Sequence, residues 1–516
     1  MNSARAWRFV ERCLVLVAGA TLAGCAVGPE YERPEVKLDA EWIGQQDARV
    51  TTQTAPDAEW WKSFSDPALD RLIDLAYGQN LSLQVAGLRI LEARARLGYA
   101  HGQRYPQFQA ALSSVTRSEP SELAVNTLQT GAFNDYQIGF DASWEVDFWG
   151  RYRKGVSAEE SGFLSTVADH DNALVSLAAE VARTYTSIRT FEVLVQLARE
   201  NVTVQEEGLR IAQARFDNGA TSELDVMQAR TLLESTRTTI PQLEASLQQA
   251  ENALSTLLGQ TTGTLGQLLE GPAAIPAVPQ QVSISVPAEM LRRRADIRGA
   301  ELNAMAQADR IGIAQSDFYP RIALFGAIGT QVGEGDNSFS DLFSGSSWFY
   351  SFGPRLLWTV FNYGRIKNNV RVEDARFQAS LVNYQDTVLR AGQEANDALT
   401  AFLRSQEAAV FARNAAEAAQ QSVDLAFVQY REGAVDFQRV LDAQRSLLQE
   451  ENTLADIDSS VATSLIALYK ALGGGWEMEQ DQPYINDGIR DEMQRRTNWG
   501  KYFSETPSDA VSGAGR

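Results

Sequence analysis

Cysteine is almost absent: the 516 residues contain two, Cys13 and Cys25. Cys13 lies in an N-terminal stretch where Arg5, Arg8 and Arg12 precede or flank the short apolar run CLVLVAGATL, the layout of an export signal covering residues 1–24. Its removal leaves Cys25 as the lone cysteine, so no internal disulfide can form even in an oxidising compartment. Histidine is equally scarce. His101 and His170 fit no metal-ligand spacing, and neither an HExxH nor a phosphate-loop motif occurs, so the residues imply no cofactor, no metal and no enzyme. Both histidines are expected on exposed helix faces. The apolar run of the leader is too short to persist as a spanning helix. Basic charge is also short: 46 Lys and Arg face 66 Asp and Glu, a net charge of -20, and the departing leader carries three Arg against one Glu. An acidic chain of this kind is a poor match for nucleic acid. It suits a soluble periplasmic protein, or an aqueous pore whose walls favour cations.

What is present is a duplication. RYPQF around Tyr105 and Pro106 recurs as FYPRI around Tyr319 and Pro320; Trp144, Gly150 and Arg151 recur as Trp358, Gly364 and Arg365. RFDNGA recurs as QYREGA, and Leu258-Gly259 as Leu472-Gly473, all at an offset of 214 residues. Two copies of a whole substructure are therefore fused. They occupy 66–259 and 288–476, joined by a Gly- and Pro-rich linker at 260–287, preceded by an extended segment at 25–65 and followed by a peripheral segment or tail at 477–516.

Each copy runs through the same order: a helical stretch broken at Tyr-Pro, two strands, a very long helix, a glycine turn and a returning helix. The long helix shows a seven-residue apolar spacing from Val167 through Val181, Val195 and Leu209 to Phe216, and in the second copy from Leu381 through Phe402 and Val423 to Tyr430. Sustained heptads predict coiled-coil contact over many turns, and 157–216 alone would extend about 90 Å. A second seam of Thr184, Ala198, Gln205 and Ala212 is small or polar.

The strands are expected at about 105–118, 136–148, 319–331 and 348–361. In YQIGFDASWEVDFWG, Tyr136, Ile138, Phe140, Ala142, Trp144, Val146 and Phe148 alternate with polar or small residues that include Asp141, Glu145 and Asp147. Trp348, Tyr350, Phe352, Leu356 and Trp358 repeat that parity, and Phe108, Ala110, Leu112 with Ile322, Leu324, Ile328 follow it more weakly. The apolar face could meet a core or lipid. Four strands of this length match membrane-crossing strands but cannot close a barrel alone, so lipid exposure demands several chains. Asp141, Glu145 and Asp147 would then face the lumen.

Several motifs together resemble the TolC-like outer-membrane efflux proteins of the lipidated OprM/NodT type: GCAVGPEYERP, PAEMLRRRADIRGAE, RFDNGATSELDVMQAR, QYREGAVDFQRVLDAQRSL and YKALGGGW. LAGC is similar to the bacterial lipobox, which makes Cys25 the site of acylation. The resemblance implies an α+β membrane protein: a homotrimer whose twelve-stranded barrel, four strands per chain, continues into a twelve-helix periplasmic tunnel. It also implies a Gram-negative outer-membrane location, a periplasmic adaptor protein and an inner-membrane pump of the RND type. Ala295 stands where the family usually has proline. Gly219 and Gly433, which need positive φ for a tight reversal, map to the tip turns that meet the adaptor. Asp225, Asp442, Gln438 and Tyr430 map to the periplasmic gate, although Val435 replaces a bridging arginine of some relatives and Gln438 an apolar constriction residue. A lipoprotein scaffold or tether without a pore is the competing reading; it has no need of a duplicated strand parity.

Overall fold

The computed structural model describes residues 26–36, 41–52, 58–119, 121, 132–284, 293–333, 339–479 and 482–503. The proposed leader and Cys25 lie outside them, as do parts of both strand-connecting loops. The elements are β1 (Val50–Thr52), α1 (Pro67–Gln79), α2 (Leu81–Gly102), β2 (Phe108–Ser118), β3 (Phe133–Glu145), α3 (Arg151–Asp217), α4 (Glu223–Leu257), β4 (Val282–Ile284), α5 (Ala295–Ser316), β5 (Arg321–Val332), β6 (Trp348–Leu357), α6 (Arg365–Arg431), α7 (Phe437–Leu472) and α8 (Asp487–Arg496). The duplication is visible in the elements themselves. Helices α3 and α6 are each 67 residues long, about 100 Å at the usual helical rise, and begin and end at positions separated by the sequence offset. No helix among the described residues is long and apolar enough to cross a membrane.

The chain divides into two compact units, each assembled from segments of both copies. The first takes residues 1–34, 91–165 and 300–384 and contains a four-stranded antiparallel sheet in the order β2-β3-β5-β6. The strands are 11, 13, 12 and 10 residues long. Register fixes which side chains share a face, because directly opposed residues point the same way. Phe140 opposes Ile328, which opposes Tyr350; Trp144 opposes Leu324; Gly326 opposes Phe352. This face is apolar and largely open, with Phe352 80% exposed. Strands β3, β5 and β6 thus follow the expected parity. Strand β2 does not: Phe108, Ala110 and Leu112 oppose Ser143, Asp141 and Gly139, on the far side from Phe140. The residues of β2 that do share the Phe140 face are Gln109, Ala111, Ser113 and Val115.

Strand β3 ends at Glu145, short of the expected 148. Two residues on, the Asp147 carboxylate accepts hydrogen bonds from Tyr152 N (3.1 Å) and Arg153 N (2.8 Å), in the first turn of α3. Those amides have no partner within the helix, so Asp147 acts as its cap. Gly150, at φ +79°, makes the reversal, and a Cβ there would sit 2.8 Å from the Ala26 side chain. The segment after Cys25 is consequently tied down: Val27 N donates to Trp149 O at 3.1 Å, and Gly28 lies against Gly312. Arg33 forms a bidentate pair with Glu301.

The second unit takes residues 35–90, 166–299 and 385–516. The Asp66 side chain caps α1 through Ala68 N and Leu69 N, and its other oxygen accepts from Tyr185 Oη. Trp60 stacks on Tyr469, and the Tyr77 hydroxyl donates to the Gly475 carbonyl in the YKALGGGW segment. In the second copy the heptad series is buried throughout, from Val388 to Tyr430. The first copy changes seam. Leu174, Val181, Ile188 and Val195 are buried, but Val202 and Leu209 are only half-buried and Phe216 is exposed; the buried stripe passes to Ala198, Asn201, Gln205, Gly208 and Ala212. The small second seam is therefore the deep one toward the end of α3.

Candidate functional site

At the end of α3, Gly219 N donates to Phe216 O and Ala220 N to Arg215 O, both at 2.8 Å. At the end of α6, Gly433 N donates to Tyr430 O at 3.0 Å and Ala434 N to Gln429 O at 2.9 Å. Both are Schellman closures, and the glycines hold φ values of +68° and +76°, as the reversal requires. Ser222 and Asp436 precede the returning helices; the Asp436 carboxylate accepts from Arg439 N. Between the two turns lies an apolar core built from Ala212, Val226, Val423, Tyr430, Phe437 and Val440, with Val435 packed against it.

The four residues assigned to the gate occupy different environments. Tyr430 is a core residue, 2% exposed, its ring 5.1 Å from that of Phe437. That corrects the expectation that it lines the opening, since a side chain enclosed by the protomer's own helices has no open face. Asp225 is half-buried and accepts from the Thr221 hydroxyl within its own turn. Gln438 and Asp442 are exposed one helical turn apart, with Gln438 Nε2 donating to Asp442 Oδ1 at 2.8 Å and Arg445 Nη1 4.0 Å from the same oxygen. These side chains form a polar patch on the open face of α7. Burial pushes the Tyr430 hydroxyl above its ordinary pKa, and the neighbouring Asp225 charge adds to that shift.

Arg215, beside the same turns, is a residue that the sequence alone does not single out. Its guanidinium lies 4.7 Å from the Tyr430 ring centroid, and Nη1 donates to the carbonyls of Tyr430 (2.5 Å) and Arg431 (3.3 Å). A cation from the end of α3 thus closes the carbonyl end of α6, where the helix dipole favours positive charge. The only signal was its place inside RFDNGA, opposite Gln429 in the other copy.

On the sheet, Asp141 and Glu145 share the face turned away from Phe140 and Trp144. Asp147, expected beside them, belongs to the helix cap. Arg355 joins this face and lies 5.1 Å over the Phe325 ring. The face is therefore mixed, with Phe108, Leu112 and Phe325 among its charges.

Neither histidine is an exposed helix residue. His101 is half-buried near the end of α2, and His170 is buried beneath Tyr484, ring centroids 5.3 Å apart and edge-on. A cavity of about 300 Å³ adjoins it, lined by Tyr77, Gln84, Leu174 and Pro483. Burial pushes the His170 pKa down to about 4 and that of its neighbour Asp171 up to about 6, the latter opposed by the Arg298 guanidinium. Among the described residues no group of three His, Cys, Asp or Glu could hold a metal ion.

Comparison with known proteins places these features. The chain is 32% identical to outer membrane protein OprJ of Pseudomonas aeruginosa over 466 residues, 90% of this chain and 95% of that one. It is 31% identical to cation efflux system protein CusC of Escherichia coli over 470 residues, 90% and 99% of the two chains. The solved outer-membrane channel OprN superposes with a TM-score of 0.82 at 31% identity, covering 88% of this chain and all of that one. Residues 72–260 and 286–474 match the model of the outer membrane efflux protein family, and the chain belongs to that family.

Proposed function

We propose that three copies of this chain form a passive exit duct, in which the β2-β3-β5-β6 sheets join edge to edge as a twelve-stranded barrel and the long helices line a periplasmic tunnel. The observation that carries this reading is the sheet: one exposed apolar face, a mixed polar face, and, among the described residues, β2 and β6 without further pairing at its edges. In lipid an unpaired edge is not tolerated, and copies of the same sheet supply the missing neighbours. A tether without a pore would expose this apolar face to water for no gain. Family membership supports efflux as the process, and a passive duct takes its cargo from the pump rather than choosing it.

In this arrangement Cys25 carries the acyl anchor, the turns at Gly219 and Gly433 meet a periplasmic adaptor, and an inner-membrane pump of the RND type feeds the complex. Asp442, the exposed acid of the α7 patch, forms a threefold acidic ring at the closed end that attracts cations and narrows the passage. Asp225, held by Thr221, supports the turn beside it. Purified protein reconstituted in a planar bilayer is expected to conduct ions; a bilayer that stays silent with verified trimer inserted overturns the duct.

A further inference from the structure

A loop that joins two barrel strands can fold over the mouth, stand in water or lie against the outer wall. The connection between β5 and β6 contains a short 3-10 turn, Phe339–Phe343, at the end of the sheet away from the long helices. It packs on the end of β5 and the start of β3. The Phe339 ring lies edge-on to Tyr136, centroids 5.6 Å apart, and to Phe343 at 5.9 Å. Leu342 is fully enclosed, and Val332, which register sets opposite Tyr136, is 9% exposed, whereas Ile328 on the same face of β5 is 50% exposed. Ser347 fastens the turn: its hydroxyl donates to Leu342 O (2.7 Å) and its carbonyl accepts from Gln331 N (2.9 Å). Strand alternation puts Tyr136 and Val332 on the Phe140 face, so the turn covers the apolar side of the sheet. The opposite side is polar at this level, where Gln331 Nε2 donates to the Asp135 carboxylate at 3.0 Å.

We propose that this turn is an anchor for outer-leaflet lipid: Phe339 and Phe343 enter the layer between headgroups and acyl chains on the outside of the barrel, and the loop leaves the mouth uncovered. Height favours this. The run from Tyr136 to Trp144 is about 27 Å along the strand, or about 20 Å once tilted by about 40° as membrane barrels require. The apolar band of such barrels is about 25 Å tall, so Tyr136 and Val332 stand near its outer boundary and the turn at the headgroups. Exposure favours it too. Leu342 is enclosed, yet Phe343 and Phe339 on either side of it are 72% and 52% exposed. Aromatic rings gain most in that boundary layer, and at the mouth they would sit among Asp135 and Gln331. The rings come from a loop, which adds two aromatics to the one, Tyr136, that the strand supplies beside them.

The test attaches a small environment-sensitive fluorophore to single cysteines in the full-length protein, reconstituted in vesicles of phosphatidylcholine and phosphatidylglycerol. Gly345→Cys keeps both phenylalanines and places the label in open space beside the turn; Phe343→Cys reports the position of the ring itself. Both labels are expected to be quenched about twofold more by a spin label near the lipid headgroup than by one at the acyl terminus or by aqueous iodide. Quenching by iodide alone, or by none of the three, puts the turn in water or against another subunit and overturns the anchor. A bulky label on the Gly345→Cys variant should leave single-channel conductance as it is, and a blocked current would place the loop over the mouth and overturn the anchor as well. The anchor rests on the duct reading, and Phe140→Cys separates the two. A Phe140→Cys label that no lipid quencher reaches overturns the duct; one quenched in lipid while the turn labels stay in water overturns the anchor alone.

Discussion

Arg215 and Tyr430 join the two copies of the duplication at their turns: the guanidinium covers the ring at 4.7 Å while bonding the carbonyl of the same residue. Arg215→Ala removes both contacts and uncovers two carbonyls at the end of α6. We expect about 2 kcal/mol of lost stability in the tip, in line with a charge-assisted bond to a partly buried helix end, and a higher conductance of the reconstituted protein. Arg215→Lys should recover part of each. Identical single-channel conductance in the alanine variant would assign Arg215 to packing alone.

Asp442→Ala should also raise conductance, for a different reason. Asp442 is exposed and, among the described residues, is bonded within its own helix, by Gln438 and more distantly by Arg445, so in the proposed acidic ring its loss would remove charge from the opening with little effect on folding. The melting temperature is expected to stay within a few degrees of the parent while cation selectivity falls. Unchanged selectivity would take Asp442 out of the gate.

The pH response of the second unit follows from two adjacent buried groups. His170 has a folded pKa of about 4, below its ordinary value, so its contribution is complete above about pH 6.5 and is lost as pH falls toward 4. Asp171 runs the other way: with its folded pKa raised to about 6, the folded state takes up a proton before the unfolded chain does, and stability rises as pH falls through that window. The two nearly offset each other in the native chain. His170→Phe removes the first and exposes the second, so the variant should gain on the order of 2 kcal/mol relative to the parent between pH 6.5 and 4.5. Melting curves followed by circular dichroism at both pH values would show it, and a parallel response of the two proteins would refute the assignment.

Asp147 offers a check on the strand boundary. As a helix cap rather than a wall residue, Asp147→Ala should cost about 1 kcal/mol of stability and leave conductance and selectivity as they are.

Cysteines test the sheet faces directly, since the sulfur of Cys25, the lone cysteine expected in the mature chain, would be blocked as a thioether by its lipid. Asp141→Cys should react with a membrane-impermeant thiol reagent in reconstituted vesicles, and Phe140→Cys should not. Leu112→Cys should behave like Asp141→Cys, because register places it on that face. A reagent that labels Phe140→Cys and spares Asp141→Cys would invert the barrel.

The features legible in the sequence were those repeated or locally determined. Paired heptads outlined two helices of equal length, and Gly219 and Gly433 announced turns whose backbone angles only glycine adopts cheaply. Alternation in β3 and β6 was strong because one face is almost purely apolar. In β2 both parities contain apolar residues, Phe108 and Leu112 on one side and Ala111 and Val115 on the other, so only register could assign them. Arg215 escaped because its partner Tyr430 comes from the opposite copy, and the burial of Tyr430 because a heptad cannot say which of two seams turns inward near its end. His170 is buried by Tyr484, a residue more than half the chain away, and nothing near either one signals the contact.

Ala26, the first described residue, rests against Gly150 where the strand gives way to the long helix. A lipid on Cys25 would thus hang from one peptide step, about 3.8 Å of leash. So short a tether cannot let the acyl chains roam beside the barrel. In the proposed duct they would act as a depth gauge, with the leaflet boundary held level with the strand-to-helix junction on every chain that carried the anchor.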